Sequence, residues 1–278
     1  MTWLSAWWHL TWARGRWPQR AAALWLLLVL GAALLAPLGG YAVGADVDLT
    51  AASQGPSLAH WLGTDHLGRD VAWRLALACQ AFVGPGLVAA VVAGVLGVLP
   101  AAVAGLVGGG VALGLRYLTA VVATLPRFVL VLLLLMIYGD SAPLLGAAIG
   151  LAYAPELSEA VYGRVEELRR ADFLETSLAH GVSWWRLLFL HVLVGAAGGL
   201  VARHLLRAFA FTVVLESTLS YLGGFGVQEP WPSWGNMLVF EWGRGLGVAQ
   251  IAPAAMLLFT VGACASVAGW AGGERHVR

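Results

Sequence analysis

RVEELRRADFLETSLAHGVSWWRLLFLHVL, Arg164 to Leu193, is the longest polar, charge-bearing stretch in a sequence that is otherwise almost wholly apolar. Its flanks are hydrophobic runs long enough to enter a bilayer. The stretch therefore reads as a helical excursion held between membrane spans, with a surface open to something outside the membrane. That reading sets the fold class: all-α and polytopic.

Composition agrees. Hydrophobic residues make up 60% of the 278 positions and charged residues 11%, with a mean hydropathy of +0.79, which is membrane-protein rather than soluble-domain usage. The net charge of +1 offers no bulk attraction to nucleic acid. All 16 basic residues are arginine. Without lysine there is no P-loop lysine, no Schiff base and no lysine general base, so the chain binds no ATP through a Walker site of its own. No catalytic residue and no bound cofactor is expected. Cys79 and Cys264 lie in apolar runs and read as small buried hydrophobes. The histidines form no HExxH pattern; His60 and His66 near Asp65 could ligate a metal, but ordinary loop residues are the simpler reading, and no metal site is expected.

Residues 1–20 carry Trp3, Trp7, Trp8 and Trp12 along one helical face, with Arg14, Arg16 and Arg20 at its end. Indole rings and arginines favour the headgroup layer, so an interfacial helix is expected there. A span of roughly 20 residues crosses a bilayer. Six spans are expected: Ala21–Pro37, Leu75–Val107, Val111–Tyr138, one from Ala142 ending near 155–162, Val194–Leu215 and Ala249–Trp270. The first could alternatively be a signal sequence, but no clear small-residue cleavage site precedes Gly39. In this frame ten arginines fall on the side of the termini and of 164–193, against Arg69, Arg74 and Arg244 on the other, so both termini and the polar segment are expected in the cytoplasm.

Three segments carry a resemblance. Glu175-Thr176-Ser177 followed by Gly181, and then His191-Val192-Leu193, resembles the EAA loop of ABC importer permeases. Gly63-Thr64-Asp65-His66-Leu67-Gly68-Arg69-Asp70 resembles a GTDxxGRD pattern in the first external loop of the dipeptide, oligopeptide and nickel branch of that family. Glu216 to Leu238, ESTLSYLGGFGVQEPWPSWGNML, resembles that branch's last external loop. The similarity covers about 58–273, in the right order. Thr176 and Ser177 replace the usual alanines, Val194 stands where a proline is usual, one extra glycine (Gly223 or Gly224) lengthens the last loop, and Glu159 replaces a basic residue.

The resemblance implies a type I importer permease with a transmembrane domain over 58–273, preceded by residues 1–57 and followed by a cytoplasmic tail, 274–278. It implies a second homologous permease, two ATPase subunits that bind ATP and magnesium, and an extracytoplasmic binding protein. The cargo would be di- or oligopeptides, with nickel, free or chelated, as the alternative. The coupling contact would be Glu175, Thr176, Ser177, Leu178, Ala179, His180, Gly181 and Val182. Small residues there allow close approach, Gly181 permits a sharp turn, and Glu175 offers a charge to a basic partner or to its own helix end. Asp65, Arg69, Asp70, Trp231 and Trp234 would lie on the loops facing the binding protein, although Thr64 and the aspartates also read as caps of a helix starting near Asp70.

Arg127, near the middle of the third expected span, and Arg203 and Arg207, one turn apart in the fifth, are costly in lipid, by roughly 2.5–3.5 kcal/mol each on insertion scales. With Glu216 they are candidate residues of the translocation path. The alternative is internal pairing, for example Arg207 with Glu216, or snorkelling to an interface. An intramembrane hydrolase would need a serine meeting a histidine. Ser217, Ser220 and His204 are its nominal candidates, but no G-x-S-x-G elbow is present. A non-ABC carrier is the other rival.

Overall fold

A computed structural model describes residues 17–40, 47–170, 197–239 and 248–271. Ten α-helices lie within these residues: α1 Trp17–Leu35, α2 Val71–Leu77, α3 Cys79–Ala93, α4 Leu99–Val107, α5 Gly109–Ala123, α6 Arg127–Tyr138, α7 Ala142–Arg170, α8 Gly198–Leu222, α9 Trp234–Val239 and α10 Val248–Ala271. A π-helical turn, Gly94–Val98, joins α3 to α4, so helix runs almost unbroken over Val71–Val107. Among the described residues there is no strand, only an isolated bridge between Thr64 and Asp70. Four helical stretches are long and apolar enough to cross a membrane, and the α5–α6 pair makes a fifth if taken as one span.

Four expected boundaries move. Helix α1 covers Trp17–Leu35, so Arg20 shares a helix with the first expected span; residues 1–16 of the expected interfacial helix lie outside the described residues. The third expected span is broken: α5 and α6 meet at 81°. Pro126 causes this, because it lacks an amide proton and its ring disfavours helical geometry at Leu125; Pro126 itself is extended, at φ −56° and ψ 130°. Helix α7 does not end near Pro155 but runs through it to Arg170, carrying the start of the polar segment as continuous helix. Helix α8 continues past Leu215 to Leu222, so Glu216, Ser217 and Ser220 are helical rather than part of a loop.

The chain divides into two compact units, Met1–Gly84 with Ala210–Trp270, and Pro85–Phe209 with Ala271–Arg278. In the first, the indole of Trp25 donates to Thr260 Oγ1 at 2.9 Å and its ring packs on Phe259 with centroids 5.8 Å apart, fixing α1 on α10. Gln80 donates to the Ala33 carbonyl at 3.1 Å, which fixes the start of α3 on α1. Trp234 is fully buried on Phe82, with ring centroids 4.6 Å apart, and donates to the Leu75 carbonyl at 3.1 Å. That bond meets the one polar demand of an otherwise apolar side chain.

In the second unit, α3, the π-turn and α4 lie lengthwise against α7. Gly146 sits over Pro85, Gly150 over Val92, Gly97 over Leu157 and Gly105 over Val165. A Cβ on Gly150 would come 2.6 Å from the Val92 Cβ and 2.8 Å from the Ala89 carbonyl, so the two backbones approach as closely as glycine permits. Small residues are the usual means of such packing where lipid supplies no hydrophobic drive. The paired numbers rise together, so the helices are parallel. Two parallel neighbours require residues 108–141 to return the chain to its starting side.

Candidate functional site

Two groups of charged side chains stand out, one in each unit. The first is built by the GTDHLGRD stretch. Asp65 Oδ1 accepts from the amides of Leu67 and Arg69 at 2.9 and 3.0 Å, folding the stretch into a tight turn. Gly68 closes that turn at φ +79°, where a Cβ would also strike the Asp48 backbone, so only glycine fits. Asp70 caps α2, accepting from the Trp73 amide at 2.8 Å, and its other oxygen pairs with His60 Nδ1 at 2.8 Å. Arg69 Nε lies 2.7 Å from Asp65, and Arg69 Nη1 and Arg74 Nη2 each lie 2.7 Å from Glu229. Both arginines are buried. Burial works against the Arg69 charge, but its hydrogen bond to Glu229 and the attraction of Asp65 outweigh that, holding its pKa above the ordinary value.

The last loop is fixed by its own polar groups. Ser233 Oγ accepts from the Gly235 amide at 3.0 Å at the start of α9, and Asn236 donates to the carbonyls of Val227 and Trp231 at 3.1 and 2.9 Å. Glu216 is fully buried and accepts from the Ser220 and Ser233 hydroxyls at 2.6 and 3.4 Å. That internal solvation explains why α8 carries on past its first acidic residue.

The second group lies where α5 breaks into α6. Arg127, the first residue of α6, packs its guanidinium over the Tyr153 ring, 4.1 Å from the centroid, and ion-pairs with Glu156 of α7. From α8, His204 Nε2 and Arg207 Nη1 each stand 3.5 Å from the other carboxylate oxygen, Oε1. Beside Arg127 and Glu156 opens a cavity of about 350 Å³, lined also by Thr119, Leu125, Pro155 and Glu159. Glu159, exposed like its partner, faces Arg116 at 3.7 Å.

The structure thus gathers Arg127 and Arg207, two of the four expected path residues, around Glu156, an acid that sequence reasoning overlooked. Its signal was available: a carboxylate following Pro155 in an apolar run, in a chain whose expected spans held unpaired arginines. The suggested Arg207–Glu216 pair is replaced by Arg207–Glu156. Arg203 does not join the cluster, and among the described residues its buried Nε has no hydrogen-bond partner. Arg127 sits at a helix start, beside the break between α5 and α6, rather than inside a continuous helix. Of the loop residues, Asp65, Arg69 and Trp234 are buried while Trp231 is 57% exposed. The Ser220 hydroxyl is given to Glu216, and the two ring nitrogens of His204 face the Leu200 carbonyl and Glu156, which is not a nucleophile–base pair. The expected coupling residues, Glu175 to Val182, lie outside the described residues.

A family model described as the binding-protein-dependent transport system inner membrane component matches residues 93–271, from the end of α3 through α10. The chain belongs to that family. It is a multi-pass membrane permease and a transport subunit, of the group that holds the dipeptide and oligopeptide ABC importers. Among curated proteins this permease is similar to a glutathione transport system permease protein of Pectobacterium atrosepticum, 28% identical over 219 residues, covering 78% of this chain and 72% of that one. It is 36% identical over 230 residues to a protein of Brucella suis named as a peptide permease, covering 79% and 73%. It is 28% identical over 206 residues to a dipeptide transport system permease protein of Alkalihalophilus pseudofirmus, covering 74% and 67%.

Proposed function

We propose that this permease forms part of the translocation path for di- or oligopeptides in an ATP-driven importer, working by alternating access. The observation that carries the reading is the family match over 93–271, which takes in every helix contributing to the Arg127–Glu156 cluster. The relatives named for peptide, dipeptide and glutathione transport favour a peptide cargo over the nickel alternative. In this reading a second homologous permease completes the path, two ATPase subunits bind ATP and magnesium, and an extracytoplasmic protein delivers the cargo. Both termini and the 164–193 segment are cytoplasmic. Residues 175–182 seat on an ATPase, and α7 transmits their movement, since it runs without interruption from Arg170 back to Glu156 and beyond. Closure of the ATPases on ATP then moves α7 against the α5–α6 bend.

Paired cysteines test the contact: one at Gly181 or Thr176, one on the ATPase surface. A crosslink that weakens or strengthens with ATP supports coupling through this segment. Copurification of the ATPase that is unaffected by Gly181→Trp and Glu175→Arg together would refute it.

A further inference from the structure

The cluster around Glu156 is unbalanced. Two guanidiniums, Arg127 and Arg207, share one carboxylate, and His204 Nε2 approaches the same oxygen as Arg207. The nearest other acid on the helix, Glu159, faces Arg116 instead. Among the described residues the guanidiniums of this cluster therefore outnumber its carboxylates by one, in a segment of the chain read as membrane-embedded, where an uncompensated arginine is costly.

The contacts are also unequal. Arg127 is held tightly, bonded to Glu156 Oε2 and stacked on Tyr153. Arg207 and His204 stand at 3.5 Å, well beyond the roughly 2.7–2.9 Å of a charge-assisted hydrogen bond. The Arg207 side chain is 53% exposed. A carboxylate on the transport path can therefore take Arg207 without disturbing the Arg127–Glu156 pair.

We propose that Arg207 forms a carboxylate-binding subsite on the transport path, with Glu156 as its internal competitor, so that the free carboxylate of a peptide exchanges with Glu156 at Arg207. The proposal rests on the reading of this chain as a peptide permease and names the part of the cargo that this cluster recognises. Arg127 serves as the positioning residue, keeping Glu156 close to Arg207 but not fully bonded to it. A cavity of about 350 Å³ opens beside Arg127 and Glu156, within the size range of small-ligand sites.

The test is equilibrium binding of radiolabelled alanyl-phenylalanine, and of its C-terminal amide, to the purified permease complex with its ATPases and without the binding protein. Removing the competitor and removing the cation should act in opposite directions. Glu156→Gln should tighten binding of the free acid about fivefold and Arg207→Gln should weaken it about fivefold, the scale of one partly exposed ion pair. Arg207→Lys should recover part of the loss, and the amide should be indifferent to all three. A purely structural role would shift acid and amide together. Each variant is used only as a monodisperse complex that hydrolyses ATP. Equal shifts for acid and amide, shifts of the same sign in the two Gln variants, or no binding of the acid to the Glu156→Gln complex would overturn the proposal. Peptide uptake by the intact transporter is a separate measurement, so the subsite can fail while the permease reading stands.

Discussion

Arg74 Nη2 lies 2.7 Å from Glu229 Oε1 although the residues are 155 positions apart in the chain. With Arg69 on the same carboxylate, that contact clasps α2 and the loop before it to the loop before α9. These are two of the three segments that carry the family resemblance, so the residue types of both motifs are explained in good part by each other.

Glu229→Gln should therefore destabilise the protein well beyond the loss of a surface pair. It leaves two buried guanidiniums short of charge, and breaking one side of a buried pair costs about 3 kcal/mol or more. Thermal unfolding in detergent should show a clearly lowered midpoint, with Glu229→Asp intermediate. An unchanged midpoint would mean that the clasp contributes nothing.

Trp231 and Trp234, three residues apart, should separate cleanly. Trp234→Ala empties a fully buried position between Phe82 and Leu75 and should cost about 3–5 kcal/mol. Trp231→Ala, at an exposed position, should leave the unfolding midpoint within about a degree, consistent with a surface change of under 0.5 kcal/mol. In the proposed assembly it should instead weaken association with the binding protein, measurable by surface plasmon resonance.

Gly150→Val should disrupt the parallel contact of α3 with α7, because the added side chain meets the Val92 side chain and the Ala89 carbonyl. Yield of folded protein on size exclusion should fall sharply. Gly163→Ala, where a Cβ meets nothing within 4 Å, is the matched control and should behave as wild type.

The bend at Pro126 can be measured as a distance. Spin labels at Leu118 and Leu133, both exposed, flank the break. A straight helix would separate the two backbones by about 22 Å at 1.5 Å per residue. At 81° they should be several ångströms closer, and Pro126→Ala should lengthen the distance toward the straight value. A wild-type distance already at that value would contradict the broken helix.

Apolar run length was enough to locate most of the membrane-spanning helices, and Asp70 was readable as a cap because Asx chemistry at a helix start is local. A proline inside an apolar run was compatible with both outcomes, and the chain broke at Pro126 but ran through Pro155. Most of the other misreadings turn on partners remote in sequence. Glu216 looked like the end of a span because the hydroxyl that helps to solvate it from the far loop, on Ser233, lies 17 residues away. Trp234 looked like a surface aromatic because its acceptor, Leu75, is 159 residues away. Glu156 was the least legible: its meaning depends on Arg127 from α6 and on His204 and Arg207 from α8.

The most direct measurement is uptake of a radiolabelled dipeptide into proteoliposomes holding this permease with its partner permease and ATPases, supplied with the loaded binding protein. The account predicts accumulation that requires ATP inside the vesicles and this chain in the membrane. Accumulation without ATP, or equal accumulation when this chain is left out, would contradict it.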